Sequence, residues 1–255
     1  MRTLSIECSS PVGSLIISQN DQVLASKTWS FRPGHQITAA QPGFVGATQH
    51  SELLLPAIES CLKDAHINLD QIELFATSHG PGRFTGIRVA INCVKALCFS
   101  LGKPALVFNS LHVLAQQTAP LKTPVIALVN AQKNLVFFQK FENSNGVLNP
   151  TTGPLCTEVS QIESHIKEPT LCLGDGYELY KDLFSPSLKS LLLRRKDLDD
   201  YPAATSLSQL VNINEKSMQL LDWKSINPLY LRASEAEEKL KAGGLQEVAT
   251  PNLKN

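Results

Sequence analysis

The residues of this chain best placed to do chemistry lie at Gly80-Pro81-Gly82-Arg83, between the apolar run Ile72–Thr77 and a helical pattern that begins at Phe84. A strand, a glycine-rich turn and a helix N-terminus together aim free backbone N–H groups at one point, a geometry that receives an anion. Gly80 and Gly82 permit close approach of a ligand to the backbone. The positive end of the helix dipole at Phe84, Thr85 and Gly86 favours a negative group, and Arg83 and Arg88 supply charge. The same residues also read as a sharp turn that only starts a helix. Neither G-x-x-x-x-G-K-[ST] nor G-x-G-x-x-G is present.

Other candidates are weaker. Glu7 closes the first apolar alternation, where a carboxylate could meet magnesium through water; a solvated strand-end acid is the plainer reading. His50-Ser51-Glu52 has the residue types of a hydrolytic triad, but neighbours at a helix start do not face one another as a triad needs. His79 borders the glycine turn, and the other histidines are scattered without an H-x-x-x-H pair. The six cysteines form no C-x-x-C and sit in apolar patterns, so they read as small core residues of a reducing compartment.

The elements that must position these residues follow from pattern. Leu4–Cys8, Ser14–Ser18 and Gln22–Trp29 alternate as strands of an antiparallel meander. Residues 30 to 47 read as a loop. His50–Ala65 carries an apolar stripe of Leu54, Ile58, Cys61, Leu62 and Ala65, and reads as a helix. Ile72–Thr77 is a buried strand. Phe84–Leu101 is a helix stopped by Gly102, with Pro104 beyond. Ala105–Phe108 is a strand and 110–117 a short helix. Past the linker Pro120–Pro124, strands are expected at 125–130, 134–141 and 171–173, a helix at 203–221 and a short strand at 228–232. The second half is weaker in pattern, and the tail beyond Ala233 is charged and is expected to fray. A meander followed by helix–strand–helix–strand predicts a mixed sheet.

The helix 84–101 is apolar on nearly all sides: Arg88 and Lys95 are its only charged residues. Such a helix is central in the fold, or it turns one face to a partner protein. With 255 residues, 43% apolar and 18% charged, the chain is globular. Lys+Arg and Asp+Glu are both 23, which argues against a generally basic nucleic-acid binder. No signal-peptide pattern and no run of about 20 apolar residues is visible, so a cytoplasmic location is expected.

In order along the chain, these motifs resemble those of the TsaB (YeaZ) family of tRNA threonylcarbamoyladenosine biosynthesis. Ile6-Glu7-Cys8-Ser9-Ser10 is similar to the family's I-D-T-S-T, and His50-Ser51-Glu52-Leu53-Leu54-Leu55-Pro56 to H-S-E-x-L-L-P. Gly80–Arg88 resembles G-P-G-S-F-T-G-L-R, the most specific piece. Asn109-Ser110-Leu111, Gly174-Asp175-Gly176 and Pro228–Arg232 resemble S-S-L, G-D-G and P-x-Y-L-R. The match is strong over residues 1 to about 117 and survives in islands over 118 to 232. The chain departs from the family at Glu7 (Asp in the family), at Arg83 (Ser), and at Asn130 and Gln132, where the family has an acid and an arginine.

The resemblance implies an α/β, actin/hexokinase-like (ASKHA, RNase H-like) fold of two related lobes, the second reduced. The expected division is 1–117, 118–232 and a polar tail 233–255. It implies a non-catalytic partner of TsaD, which transfers threonylcarbamoyl to the adenosine beside the tRNA anticodon. A TsaE-type ATPase joins that assembly, tRNA is its substrate, and members also self-associate. No cofactor is assigned to this chain alone; a nucleotide could lie at the interface of the complex. The catalytic paralog's metal-binding histidines fall here on Ser110 and Leu114, so no such metal site is expected. The expected docking surface is His50, Ser51, Leu54, Leu55, Ile58, Phe84, Thr85, Arg88, Val89, Asn92 and Cys93. The expected anion or nucleotide contacts are Gly80, Gly82, Arg83 and Glu7. The competing reading is an ATP-dependent phosphotransferase of the same superfold; a peptidase lacks both triad and metal ligands.

Overall fold

The computed structural model describes residues 1–31, 49–144 and 147–233; the glycine-rich loop expected at 30–47 and the tail lie almost wholly outside them. The chain forms two mixed sheets flanked by helices. In the first, β1 (Arg2–Glu7), β2 (Val12–Gln19) and β3 (Gln22–Ser30) make the predicted meander. Helix α1 (His50–Asp64) leads to β4 (Leu74–Ser78), α2 (Phe84–Leu101) and β5 (Ala105–Phe108). The strand order is β3-β2-β1-β4-β5, antiparallel across the meander and parallel from β1 to β5.

Helix α3 (Ser110–Gln116) carries the chain to the second sheet. There β6 (Val125–Asn130), β7 (Leu135–Ser144) and β8 (Val147–Pro150) form a second meander, and β9 (Leu155–Glu158) pairs with β7. Then come β10 (Thr170–Leu173), the short helices α4 (Gly176–Tyr180) and α5 (Pro186–Leu191), and the two-residue β11 (Leu192–Leu193). The order β8-β7-β6-β10-β11, with parallel pairs on the β10 side, repeats the topology of the first sheet. This is the two-lobed actin/hexokinase-like arrangement.

The last helix of each sheet crosses to the other. Helix α3 packs on β6 and β7, its Leu111, Leu114 and Ala115 sharing a core with Val125, Ala127 and Phe141. Helix α6 (Ala204–Asn214) returns to the first sheet, where Leu207, Leu210 and Val211 pack with Leu74, Ala76 and Leu106. Sequence placed 203–221 with the second lobe and as one helix; the helix stops at Asn214, and tertiary contact carries it to the first. Much of its contact is polar: Ala204 N–H donates to Ser14 Oγ (2.9 Å), and Ser208 Oγ to Ser18 Oγ (3.1 Å).

The strand expected at 228–232 does not form. Residues 221–230 run as a strap beside α2, with a turn at 223–225. Leu221 bridges Ala105, Leu229 N–H donates to the His79 carbonyl (2.7 Å), and Tyr230 stacks on Phe84 with ring centroids 4.8 Å apart. Helix α2 itself has the length and apolarity of a membrane span, alone in this among the described helices. Gly86, Ile87, Ala90, Ile91, Val94 and Cys98 fix one side of it in the core; Thr85, Arg88, Asn92, Ala96 and Phe99 stay exposed.

Candidate functional site

The Ser9-Ser10 turn between β1 and β2 is the point on which both long helices are seated. Ser9 O accepts the Arg83 N–H at 2.7 Å, at the N-cap of α2. His50, first residue of α1, is bonded to the Ser10 carbonyl through Nε2 (2.9 Å) and to the Trp29 indole through Nδ1 (3.0 Å). Indole N–H can only donate and a carbonyl can only accept, so His50 carries its proton on Nε2. Burial holds its pKa below 6.5, and the imidazole is neutral.

The glycines serve this seating. A Cβ on Gly86 would lie 1.9 Å from the Cys8 carbonyl oxygen, and one on Gly82 would lie 2.3 Å from that of Ser9. Only glycine lets the first turn of α2 lie against the β1–β2 backbone. On the other side, Gly80 and Ser110 exchange two bonds: Ser110 N–H donates to Gly80 O (2.8 Å) and Gly80 N–H to Ser110 Oγ (3.1 Å). The turn therefore fixes where α2 begins and ties it to α3.

A cleft of about 630 Å³ opens between the lobes. Ser9, Ser10, His50, Arg83, Thr85 and Gly86 line it on one side, and Asn130, Gln132, Asp175, Asp200 and Tyr201 on the other. The N–H groups of Phe84, Thr85 and Gly86 have no hydrogen-bond partner among the described residues and border this space. Arg83 is exposed at its rim. Opposite it, burial pushes the Asp175 carboxyl above the usual range; the Asn130 N–H (2.9 Å) opposes this, Asp200 adds to it, and Arg83 opposes it again. Asp200 is held by Arg194 through two bonds (2.8 and 2.6 Å) and accepts the Gly174 N–H (2.8 Å), which places the Gly174-Asp175-Gly176 turn.

The structure separates the residues expected to work together. Of the anion set, Arg83 and Gly82 reach the cleft, and Gly80 is buried behind it. Glu7 does not: it is 0% exposed beneath the turn, where Oε1 accepts the Ser9 N–H (2.6 Å). Of the docking set, His50, Leu54 and Ile58 are buried, because the stripe that identified α1 is its core-facing side. They cannot be partner contacts. Ser51 and Leu55 on α1, and Thr85, Arg88 and Asn92 on α2, are exposed, with Phe84, Val89 and Cys93 half-buried. Arg88 is already engaged: its guanidinium lies 3.7 Å over the Phe84 ring and its Nε donates to Tyr230 (2.8 Å). Phe99 and Trp223, in edge-to-face contact and both exposed, extend the apolar face. Sequence reasoning missed this pair; Phe99 lay inside the pattern but Trp223 had no helical partner to mark it.

Ser110 and Leu114 are both structural, the first clamped to Gly80 and the second buried. His112 points elsewhere, against Phe141. Among the described residues, no group of three or more His, Cys, Asp or Glu side chains is arranged to hold a metal ion.

Residues 35–243 match the family model described as TsaD: tRNA N6-adenosine threonylcarbamoyltransferase. The chain is 23% identical to the tRNA threonylcarbamoyladenosine biosynthesis protein TsaB of Bacillus subtilis (strain 168), over 94% of this chain and 97% of that protein. It is 33% identical to the tRNA N6-adenosine threonylcarbamoyltransferase of Brachyspira hyodysenteriae, over 51% of this chain but only 39% of the transferase. Its fold matches that of YeaZ from Pseudomonas aeruginosa with a TM-score of 0.72 and 21% identity, over 90% of this chain and 99% of YeaZ.

Proposed function

This chain belongs to the TsaB (YeaZ) branch of the TsaD family and has its place in tRNA threonylcarbamoyladenosine biosynthesis; from that premise we propose that it is a non-catalytic subunit that binds and supports a TsaD-type transferase in the cytoplasm. The observation that carries this reading is the outer face of α2. An 18-residue apolar helix leaves Asn92, Ala96 and Phe99 in solvent, Phe99 at 68% exposure. An aromatic side chain so exposed on an apolar helix is the kind that anchors an interface. Leu55, at 61% exposure on α1, adds to the surface. In the assembly proposed, a TsaE-type ATPase joins the pair, tRNA is the substrate of the complex, and the lone chain self-associates.

The test is co-purification with the TsaD-type paralog. Val89→Arg and Phe99→Asp should leave circular dichroism unchanged and abolish capture. Full capture by both variants sinks the docking assignment.

The phosphotransferase reading retains one supporting observation: the first N–H groups of α2, which have no partner among the described residues, and Arg83 border the cleft. It also needs an acid free to hold magnesium: Glu7 is sealed away from the cleft, and of the two acids that line it, Asp200 is paired with Arg194 and Asp175 accepts the Asn130 N–H. Calorimetric titration with Mg-ATP separates the two, since submicromolar binding with turnover would favour the kinase over the subunit.

A further inference from the structure

Helices α3 and α6, which cross between the lobes, pack directly on one another. A cavity of about 660 Å³ opens between the end of α3 and the side of α6. It lies on the face of the first sheet opposite α1 and α2: Leu74 and Ala76 of β4 pack with α6, and Phe75 between them packs with the other two helices. It is therefore separate from the outer face of α2. None of its lining residues borders the inter-lobe cleft.

Two side chains in its wall are polar, buried and unpartnered. Gln116 is 3% exposed and Ser206 is 6% exposed, and both line the cavity. Neither the Gln116 amide nor the Ser206 hydroxyl forms a hydrogen bond among the described residues. Their neighbours do. Gln117 Nε2 donates to the Leu114 and Asp199 carbonyls (3.0 and 2.8 Å), and its Oε1 accepts the Asp199 N–H (2.8 Å). On α6, Ala204 and Ser208 flank Ser206 and are bonded to Ser14 and Ser18 of β2. A buried amide without a partner costs free energy, so Gln116 calls for one from outside the fold.

The wall selects the chemistry of that partner. Ser206, Gln209 and Asn212 recur every third residue along one side of α6. With Gln116 they offer hydroxyl and amide groups, which both donate and accept. Among the described lining residues there is no Lys, Arg or His, and Asp21 at the β2–β3 turn is the one charge. Nothing here pairs with a phosphate or a carboxylate. Pro120 and Ile213 add apolar surface. A carbon ring bearing hydroxyls matches both parts of this wall: each O–H donates and accepts, and the C–H face rests on the apolar residues. We propose that this cavity binds a small neutral polyhydroxyl ligand of the sugar class, held by hydrogen bonds from Gln116 and Ser206.

Heteronuclear NMR of the full chain, titrated with D-ribose and with myo-inositol, is the test. The Gln116 side-chain NH₂ signals, identified by their loss in Gln116→Met, should shift and saturate with at least one of these probes. Ser206→Ala should weaken that binding. Ribose 5-phosphate should bind more weakly than ribose, because Asp21 repels it and no cation receives it. Gln116→Met keeps the volume of the side chain and removes an unpaired polar group, so its melting temperature should match or exceed that of the wild type. Three results would overturn the proposal. One is Gln116 signals that neither neutral probe moves. Another is ribose 5-phosphate bound as tightly as ribose or more so. The third is a Gln116→Met protein that melts several degrees lower, which would mean that the amide is already bonded, to ordered water or to the protein. If Gln116→Met fails to fold, the same titration read at the assigned backbone signals of Gln116 and Ser206 decides the matter.

Discussion

The Trp29 indole and the His50 imidazole fix each other's role: Nε1–H of Trp29 donates to Nδ1 of His50 at 3.0 Å, and this leaves Nε2–H to hold the Ser10 carbonyl. One bond joins β3 to α1 and the other joins α1 to the β1–β2 turn. A second proton on Nδ1 would remove the acceptor of the Trp29 bond, so the bolt holds only while His50 is neutral.

From this follows a dependence on pH. Burial holds the pKa values of His50, His79 and His112 below 6.5. A depressed folded pKa contributes stability that is present above the unfolded value and lost as pH falls through the folded one. Thermal melts from pH 8 to pH 5 should therefore fall below about pH 6.5. His50→Gln should flatten part of that slope, and a slope identical to wild type would remove His50 from the account.

Adjacent leucines on α1 should behave in opposite ways. Leu54 is 2% exposed and Leu55 is 61% exposed. Leu54→Asp buries an unpaired carboxylate and should cost on the order of 4 kcal/mol or more in chemical denaturation. Leu55→Asp should change stability by no more than about 0.5 kcal/mol, while weakening capture of the TsaD-type paralog by roughly tenfold or more.

Gly86→Ala adds a single methyl, yet its carbon would sit 1.9 Å from the Cys8 carbonyl oxygen. Backbone on both sides must move, and the seat of α2 shifts. The expected loss is on the order of 2–3 kcal/mol by urea denaturation. A loss under about 0.5 kcal/mol would show that the helix is not held against the turn.

Asp200→Ala should loosen the second lobe alone. It removes two bonds from Arg194 and the acceptor for Gly174 N–H. With both side chains about a quarter exposed, the loss should be about 1–3 kcal/mol. Hydrogen exchange should quicken at Leu171–Leu173 and stay unchanged in β1 and β4.

How much of this was legible depends on how local the cause is. Helix α2 was readable end to end because its period, its Gly102 stop and the turn before it lie within one continuous stretch; Gly102 indeed adopts φ 63°. The six-strand framework of β1–β6 was readable for the same reason. The elements β8, β9, β11, α4 and α5 are four to six residues long, or two for β11, and have no period of their own to detect. Their residues are ordered by the sheet they join.

The amino-acid sequence by itself determined the elements from β1 to β6, the place of the glycine turn and the kinship with the TsaB family, because these rest on spacing between near neighbours. Only the tertiary structure decided which side of each helix is free. Leu54 and Leu55 are equally apolar, and one rotation of about 100° sends the first into the core and the second into solvent. It also decided that Glu7 lies under the turn instead of in the cleft, and that α6 and the strap to Tyr230 return to the first lobe. Each is a contact between residues distant in the chain, set by which surfaces must be covered once the sheets have formed.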